Sequence, residues 1–149
     1  MNTTPVHLLL AEDDIDDCNF FKDALEELDI NAELATVNDG VQLMDFLAGR
    51  EEPLPDALYL DLNMPRKNGL ECLTEIKQND KLKMLPVIIF STSYSEEAAR
   101  VLYEQGAQYY ICKPSEFAGL KKVILQSIQL VSGKEKQQPP QQNFVITPD

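Results

Sequence analysis

The sequence contains no tryptophan and only one histidine, and its 13 lysines and arginines are outnumbered by 25 aspartates and glutamates. The net charge of −12 argues against direct binding to nucleic acid, because that binding needs a basic surface that displaces counterions. No apolar run approaches the ~20 residues that span a bilayer, and the amino terminus lacks the basic and apolar regions of a secretory signal. We therefore expect a cytoplasmic protein whose partners are other proteins, with no role for nucleic acid or membrane.

Cysteine is scarce as well. Cys18, Cys72 and Cys112 are widely spaced and form no CxxC pair, which argues against a disulfide framework or a structural zinc site. A length of 149 residues with 44% hydrophobic content suits one domain with a single core. We assign that domain to residues 6–131 and a flexible Pro/Gln-rich tail to residues 132–149. The β-prone stretch 144–147 within the tail is either a frayed terminus or a strand that docks on a sheet edge or a neighbouring molecule.

Apolar strand-like runs alternate with segments of helical period. Strands are predicted at 7–11, 33–37, 57–61, from Pro86 onward, and at 108–112. Helices are predicted at 15–28, 41–48 and 70–78. A fourth helix is predicted from a capping box formed by Ser93 and Glu96 to about residue 105, with Gly106 after its end. A fifth is predicted at 116–131, with Ser115 as its cap. This alternation predicts an α/β fold, a flavodoxin-like (βα)5 three-layer sandwich whose five parallel strands run in the order 2-1-3-4-5.

Charged and polar residues follow the predicted strands at their carboxyl ends. Glu12 and Asp13 follow the first strand, and Asp61 ends the third. The fourth and fifth strands run into Ser91 and Lys113. Parallel strands bring these ends to one edge of a sheet, where crowded carboxylates need a cation such as Mg²⁺ between them. Asp61 is then placed as a nucleophile toward phosphorus, with an ammonium and a hydroxyl to contact the phosphoryl oxygens.

Together these stretches resemble the receiver domains of two-component response regulators. The resemblance covers about residues 6–131. It is closest in kind to stand-alone receivers, such as the chemotaxis regulator and the small regulators paired with bacterial phytochromes. The stretches that carry it are Leu10-Ala11-Glu12-Asp13-Asp14, Asp61-Leu62-Asn63-Met64-Pro65 with Gly69, Phe90-Ser91-Thr92, and Gly106-Ala107 through Tyr110 to Lys113-Pro114.

The resemblance implies the chemistry of a phosphoacceptor. Asp61 would take the phosphoryl group, and Lys113 would pair with its oxygens. Asp61, Asp13, Glu12 and the backbone carbonyl of Asn63 would hold Mg²⁺, with Mn²⁺ as an alternative. The donor would be a histidine kinase or a phosphotransfer protein. Such a chain signals by protein contact and is not an enzyme with a substrate that it turns over.

The resemblance also implies a switch. Ser91 would move toward the phosphoryl group, next to Thr92 where many receivers carry alanine, and the Tyr110 ring would turn inward. The Lys113–Pro114 bond would be cis. The surface that changes would be the fourth helix, fifth strand and fifth helix, which would contact a downstream target or form a homodimer. Residues expected there are Glu96, Arg100, Tyr103, Tyr109 and Lys121.

Three alternatives fit the fold. A Mg²⁺-dependent phosphatase with an aspartate nucleophile usually carries a second aspartate two residues later, but Asn63 stands there. A flavin or nucleotide carrier would have a loop rich in Gly, Ser or Thr after the first strand, where this chain has an acidic run at 12–14. A receiver that only docks and never switches would have an incomplete site, and this site is complete in sequence.

Overall fold

The computed structural model describes residues 5–49, 54–132 and 138–148. Its strands are β1 (Val6–Ala11), β2 (Ala32–Val37), β3 (Ala57–Leu60), β4 (Val87–Ser91), β5 (Tyr109–Cys112) and β6 (Val145–Ile146). Its helices are α1 (Ile15–Glu27), α2 (Gly40–Ala48), α3 (Gly69–Gln78), α4 (Glu96–Glu104) and α5 (Phe117–Val131), with a 3₁₀ turn at Gln141–Asn143. Within these ranges, no helix is both long enough and apolar enough to cross a membrane.

All the strands pair in parallel, in the order β2-β1-β3-β4-β5-β6. The predicted α/β fold and the order of the first five strands are confirmed. The prediction of five strands is wrong, because Val145 and Ile146 pair with Tyr110 and Ile111. A sheet that ended at β5 would leave a row of backbone N–H and C=O groups without partners, and the tail supplies those partners.

The sequence predicts a flexible tail after α5. Its residues 133–137 and 149 lie outside the described residues, but residues 138–148 lie against the domain. Phe144 and Ile146 are buried there. Of the two interpretations of the stretch 144–147, the structure shows the one in which it docks on a sheet edge.

Successive strand residues pack into opposite layers, as expected when both faces of a sheet are covered. In β1, Leu8 and Leu10 join the cluster formed with α1 and α5, whereas Leu9 and Ala11 join the cluster formed with α2, α3 and α4. These two layers hold the sheet between them, so the carboxyl ends of the strands form one edge of a three-layer sandwich.

Two predicted helix caps are wrong. Ser95, not Ser93, caps α4, because its hydroxyl accepts the N–H of Ala98 at 3.0 Å while the Ser93 N–H is engaged with the Ser91 hydroxyl at 3.2 Å. Helix α5 begins after Glu116 without a side-chain cap, so Ser115 does not cap it. The glycine predicted behind α4 is confirmed: Gly106 has φ +101°, a left-handed conformation that favours glycine.

Gly69 allows the start of α3 to approach the end of β3. Its N–H donates to the carbonyl of Leu62 at 3.0 Å. A Cβ atom at this position would lie 2.4 Å from the carbonyl oxygen of Asp61 and 2.8 Å from the Cα of Leu62. Both atoms are backbone, so they cannot move aside as a flexible side chain would. The position of the Asp61 backbone therefore depends on residue 69 being a glycine, which has no Cβ atom.

We predict that Gly69→Ala destabilises the fold by about 1–3 kcal/mol, the usual cost of forcing an extra carbon into a packed site. Gly49→Ala is the matched control, since Gly49 already has right-handed helical angles and an added Cβ would lie 3.3 Å from one carbonyl oxygen. Its unfolding free energy should change by less than about 1 kcal/mol. Urea unfolding of both variants makes the comparison, and equal values for the two would contradict this account of Gly69.

Candidate functional site

Three carboxylates meet at the carboxyl edge of the sheet. One oxygen from each of Glu12, Asp13 and Asp61 lies within 4.8 Å of the others. The register of β1 and β3 brings them together: Ala11 pairs with Leu60, and the Asp61 N–H donates to the Ala11 carbonyl at 3.0 Å. Glu12 and Asp61 are buried, whereas Asp13 is exposed. The predicted convergence of these side chains is therefore present in the fold.

Lys113 is the cation of the site. It follows β5, where its N–H donates to the carbonyl of Ser91 at 2.9 Å. Its ammonium contacts the carboxylate of Glu12 and lies 3.0 Å from Asp17 Oδ2. The side chain is 10% exposed, so this ammonium is largely withdrawn from water. Sequence reasoning missed Asp17, whose available signal was its place in the first turn of the helix behind the acidic loop.

The carboxylates perturb one another. Burial raises the pKa of Glu12 to about 7, the nearby charge of Asp61 adds to the rise, and the Lys113 ammonium opposes it. Burial also raises the pKa of Asp61, which is partly offset by Lys113 and by a hydrogen bond with Glu12. Burial alone would lower the pKa of Lys113, but its hydrogen bonds to Glu12 and Asp17 outweigh that effect and raise it. The negative charge of the carboxylates around Lys113 therefore exceeds the single positive charge of its ammonium.

The hydroxyl-bearing residues lie beside this cluster. Leu60 pairs with Ile89, so Ser91 ends β4 close to the level of Asp61. Ser91 is fully buried, and Thr92 after it is exposed and lines a cleft of about 260 Å³ together with Asp17 and Lys113. The second residue after Asp61 also turns toward it, since the N–H of Asn63 lies 3.4 Å from Asp61 Oδ1.

Tyr110 points into the protein. Its side chain is fully buried, and its hydroxyl donates to the backbone carbonyl of Ser93. Burial raises its pKa to about 12, although a hydrogen bond with the side chain of Ser91 works against the rise. The exposed ring of Tyr94 packs edge-on against it at 5.4 Å between centroids. The ring thus occupies the inward position.

The expectation of a cis bond before Pro114 is not met, because the Lys113–Pro114 peptide bond is trans. The trans isomer of an X–Pro bond is favoured by about 0.5–1 kcal/mol unless its surroundings select the other. Here the N–H of Lys113 and its ammonium both have partners in this geometry.

Comparison with known proteins identifies the family of this chain. The family described as "Response regulator receiver domain" matches residues 8–125, most of the chain. The chain belongs to this family. The predicted resemblance is therefore confirmed, and the protein is a signalling protein of the response-regulator type.

Similar receivers cover most of this receiver's length. Response regulator Rcp1 of Synechocystis sp. is 36% identical over 124 residues, which are 80% of this chain and 84% of that protein. The phosphorylated cyanobacterial phytochrome response regulator RcpA has a similar structure, with a TM-score of 0.79 and 29% identity over 89% of this chain and 97% of that one. The Mn²⁺-bound form of Rcp1 has a TM-score of 0.75 and 34% identity, over 91% and 99% of the two chains.

The donor set of this receiver suits a hard divalent cation. Carboxylate oxygens are the ligands that Mg²⁺, Ca²⁺ and Mn²⁺ prefer, and one exposed carboxylate leaves an approach from solvent. Burial is the main cause of the raised pKa values of Glu12 and Asp61, and a cation among Glu12, Asp13 and Asp61 would offset the cost of holding these carboxylates charged there.

We predict that the metal-free receiver is more stable at about pH 5.5 than at about pH 8, because the folded state holds a proton on Glu12 more tightly than the unfolded state does. Its contribution is present below the unfolded pKa of 4.5 and is lost as pH rises through about 7. One pKa unit corresponds to about 1.4 kcal/mol, and about 1.5 units separate pH 5.5 from the folded pKa, so the expected difference is at most about 2 kcal/mol.

Urea unfolding with a chelator at the two pH values measures this difference. Glu12→Gln should reduce it, whereas Glu26→Gln, on the exposed face of α1, should leave it unchanged. The same pH difference in the wild type and in Glu12→Gln would show that Glu12 is not the group responsible.

Proposed function

We propose that this receiver accepts a phosphoryl group on Asp61 from a phosphohistidine of a sensor kinase or phosphotransfer protein. The observation that carries the proposal is the placement of a buried carboxylate, Asp61, in one group with Glu12 and Asp13 at the edge of the sheet where Lys113 lies. Nearby positive charge and in-line positioning are what phosphoryl transfer requires of a protein.

The transfer forms one P–O bond and breaks one P–N bond. An oxygen of the Asp61 carboxylate attacks the phosphorus, the P–N bond of the phosphohistidine breaks, and its electron pair returns to the imidazole nitrogen. The product is an aspartyl phosphate, a mixed anhydride. Lys113 exchanges a contact with Glu12 or Asp17 for one with a phosphoryl oxygen, so its ammonium stays paired throughout.

The residues that would hold Mg²⁺, or Mn²⁺ in its place, are Glu12, Asp13, Asp61 and the backbone carbonyl of Asn63. The similar regulator Rcp1 has a Mn²⁺-bound form, which supports the proposal that this receiver holds a divalent ion. Such an ion supplies positive charge to the phosphoryl oxygens and lowers the repulsion between an anionic donor and Asp61.

The response would be a shift in the populations of two conformations. Ser91, Thr92 and Tyr110 form the proposed switch, since a phosphoryl group contacts the Ser91 hydroxyl and the Lys113 ammonium in only one of the two arrangements. A downstream protein would recognise the phosphorylated conformation at the face formed by α4, β5 and α5. A homodimer through the same face stays a prediction. No substrate is turned over in this scheme, so the chain would not be an enzyme.

The proposed organisation is a receiver at residues 6–131 followed by a tail at 132–149. The cytoplasm is the proposed compartment, where histidine kinases present their phosphoryl groups. The three cysteines, all free thiols, are consistent with a reducing environment.

We predict that incubation with Mg²⁺ and acetyl phosphate adds the mass of one phosphoryl group to the wild type. Asp61→Asn should gain nothing, because an amide oxygen is a poor nucleophile and forms no mixed anhydride. Asp45→Asn, on the exposed face of α2, is the matched control and should be phosphorylated like the wild type. Intact-protein mass spectrometry measures all three.

Omission of Mg²⁺ should abolish the adduct on the wild type. An adduct that persists in Asp61→Asn would place the acceptor elsewhere. Release of free phosphate over many turnovers would instead favour the phosphatase among the alternatives.

A further inference from the structure

The segment 138–148, called here the tail segment, covers part of the face formed by α4 and β5. Its strand β6 extends the sheet beyond β5, and the N–H of Tyr110 donates to the carbonyl of Phe144 at 3.0 Å. Tyr103 of α4 donates its hydroxyl to the carbonyl of Pro139 at 2.7 Å. The amide of Gln138 donates to the carbonyls of Tyr103 and Ala107 at 2.7 Å and 2.6 Å. The segment is thus held at both ends of this face.

Phe144 anchors the tail segment. Its side chain is 1% exposed and, like that of Tyr110, belongs to the cluster formed with α2, α3 and α4. The ring packs edge-on against Tyr103 at 5.2 Å and against Tyr110 at 6.3 Å between centroids. Aromatic pairs of this geometry contribute stability beyond the burial of their area. Docking of the tail segment therefore depends on where the Tyr110 ring lies.

The far side of Tyr110 reaches the phosphoryl site. Its hydroxyl donates to the carbonyl of Ser93, and the N–H of Ser93 donates to the Ser91 hydroxyl. Ser91 also accepts the backbone N–H of Lys113 on its carbonyl. A continuous set of contacts therefore runs from Phe144 through Tyr110 to Ser91 and Lys113.

We propose that the tail segment is an intramolecular ligand whose docking is coupled to phosphorylation of Asp61. The docked segment supports the inward Tyr110, because an outward ring would leave Phe144 without one of its two aromatic neighbours. The proposal rests on the proposed function, in which the inward ring belongs to the phosphorylated arrangement. Docking and phosphorylation then favour each other by the same factor, as linkage requires.

The test uses the full chain with Phe144→Ala, Phe144→Leu and the control Gln142→Ala, whose side chain is exposed in the same segment. Each protein receives Mg²⁺ and a subsaturating concentration of acetyl phosphate, and intact mass gives the phosphorylated fraction. The Tyr110 N–H donates a hydrogen bond to the Phe144 carbonyl, so its hydrogen exchange measured by NMR reports docking independently.

We expect the ratio of phosphorylated to free protein to fall about fivefold or more in Phe144→Ala, the lower end of typical coupling between sites. Phe144→Leu should fall between Phe144→Ala and the wild type, and Gln142→Ala should match the wild type. Exchange of the Tyr110 N–H should be faster in Phe144→Ala, and it should become slower in the wild type on phosphorylation.

A Phe144→Ala protein with fast Tyr110 exchange but an unchanged phosphorylated fraction would overturn the coupling while leaving the proposed function intact. No adduct on any of the proteins would overturn the proposed function and the coupling with it. Sizing of the same samples should show no dimer that depends on Phe144. A dimer that Phe144→Ala dissociates would show that the tail segment docks on a second copy and would overturn docking within one chain.

Discussion

The crowding of Glu12 and Asp61 at one edge of the sheet is the interaction on which the rest of the site depends. Both carboxylates are buried, and burial raises the pKa of each. A fold selected only for stability would replace such a pair, since buried charge is costly unless it is fully balanced. The single ammonium of Lys113 does not balance Glu12, Asp61 and Asp17 together. The arrangement becomes reasonable under the proposed function, in which a divalent cation and a phosphoryl group occupy this edge of the sheet.

The fold produces this crowding through strand register. Parallel pairing sets the ends of β1, β3, β4 and β5 side by side, and the residues that follow each strand then project at the same edge. The close approach of α3 at Gly69 keeps the backbone of Asp61 in place. Small changes far from the charges, such as one added carbon, are therefore expected to reach the site through the backbone.

Much of this could be predicted from the sequence, because apolar runs and the charged residues directly after them are both local signals. The strand order and the convergence of Glu12, Asp13 and Asp61 follow from those signals and from general rules of parallel sheets. The contact of Asp17 with Lys113 was not predicted, because Asp17 lies in the first turn of α1 and not directly after a strand. Strand β6 has two residues, too few to show an alternating pattern, and its partner is defined only by the tertiary fold. The Ser95 cap was missed because Ser93 and Glu96 have the spacing of a capping box, whereas in the structure Glu96 is the first residue of the helix.

Divalent-ion dependence of folding tests the central claim most directly, because it reports the charge imbalance without any phosphoryl donor. The free energy of unfolding would be measured by urea titration over a range of free Mg²⁺. The account predicts a rise that approaches about 1.4 kcal/mol for each tenfold increase above the dissociation constant. Asp13→Asn should move the onset of this rise to higher Mg²⁺ concentrations, since it removes one ligand charge. An unfolding free energy that does not change with Mg²⁺ would contradict the assignment of these carboxylates as a cation site.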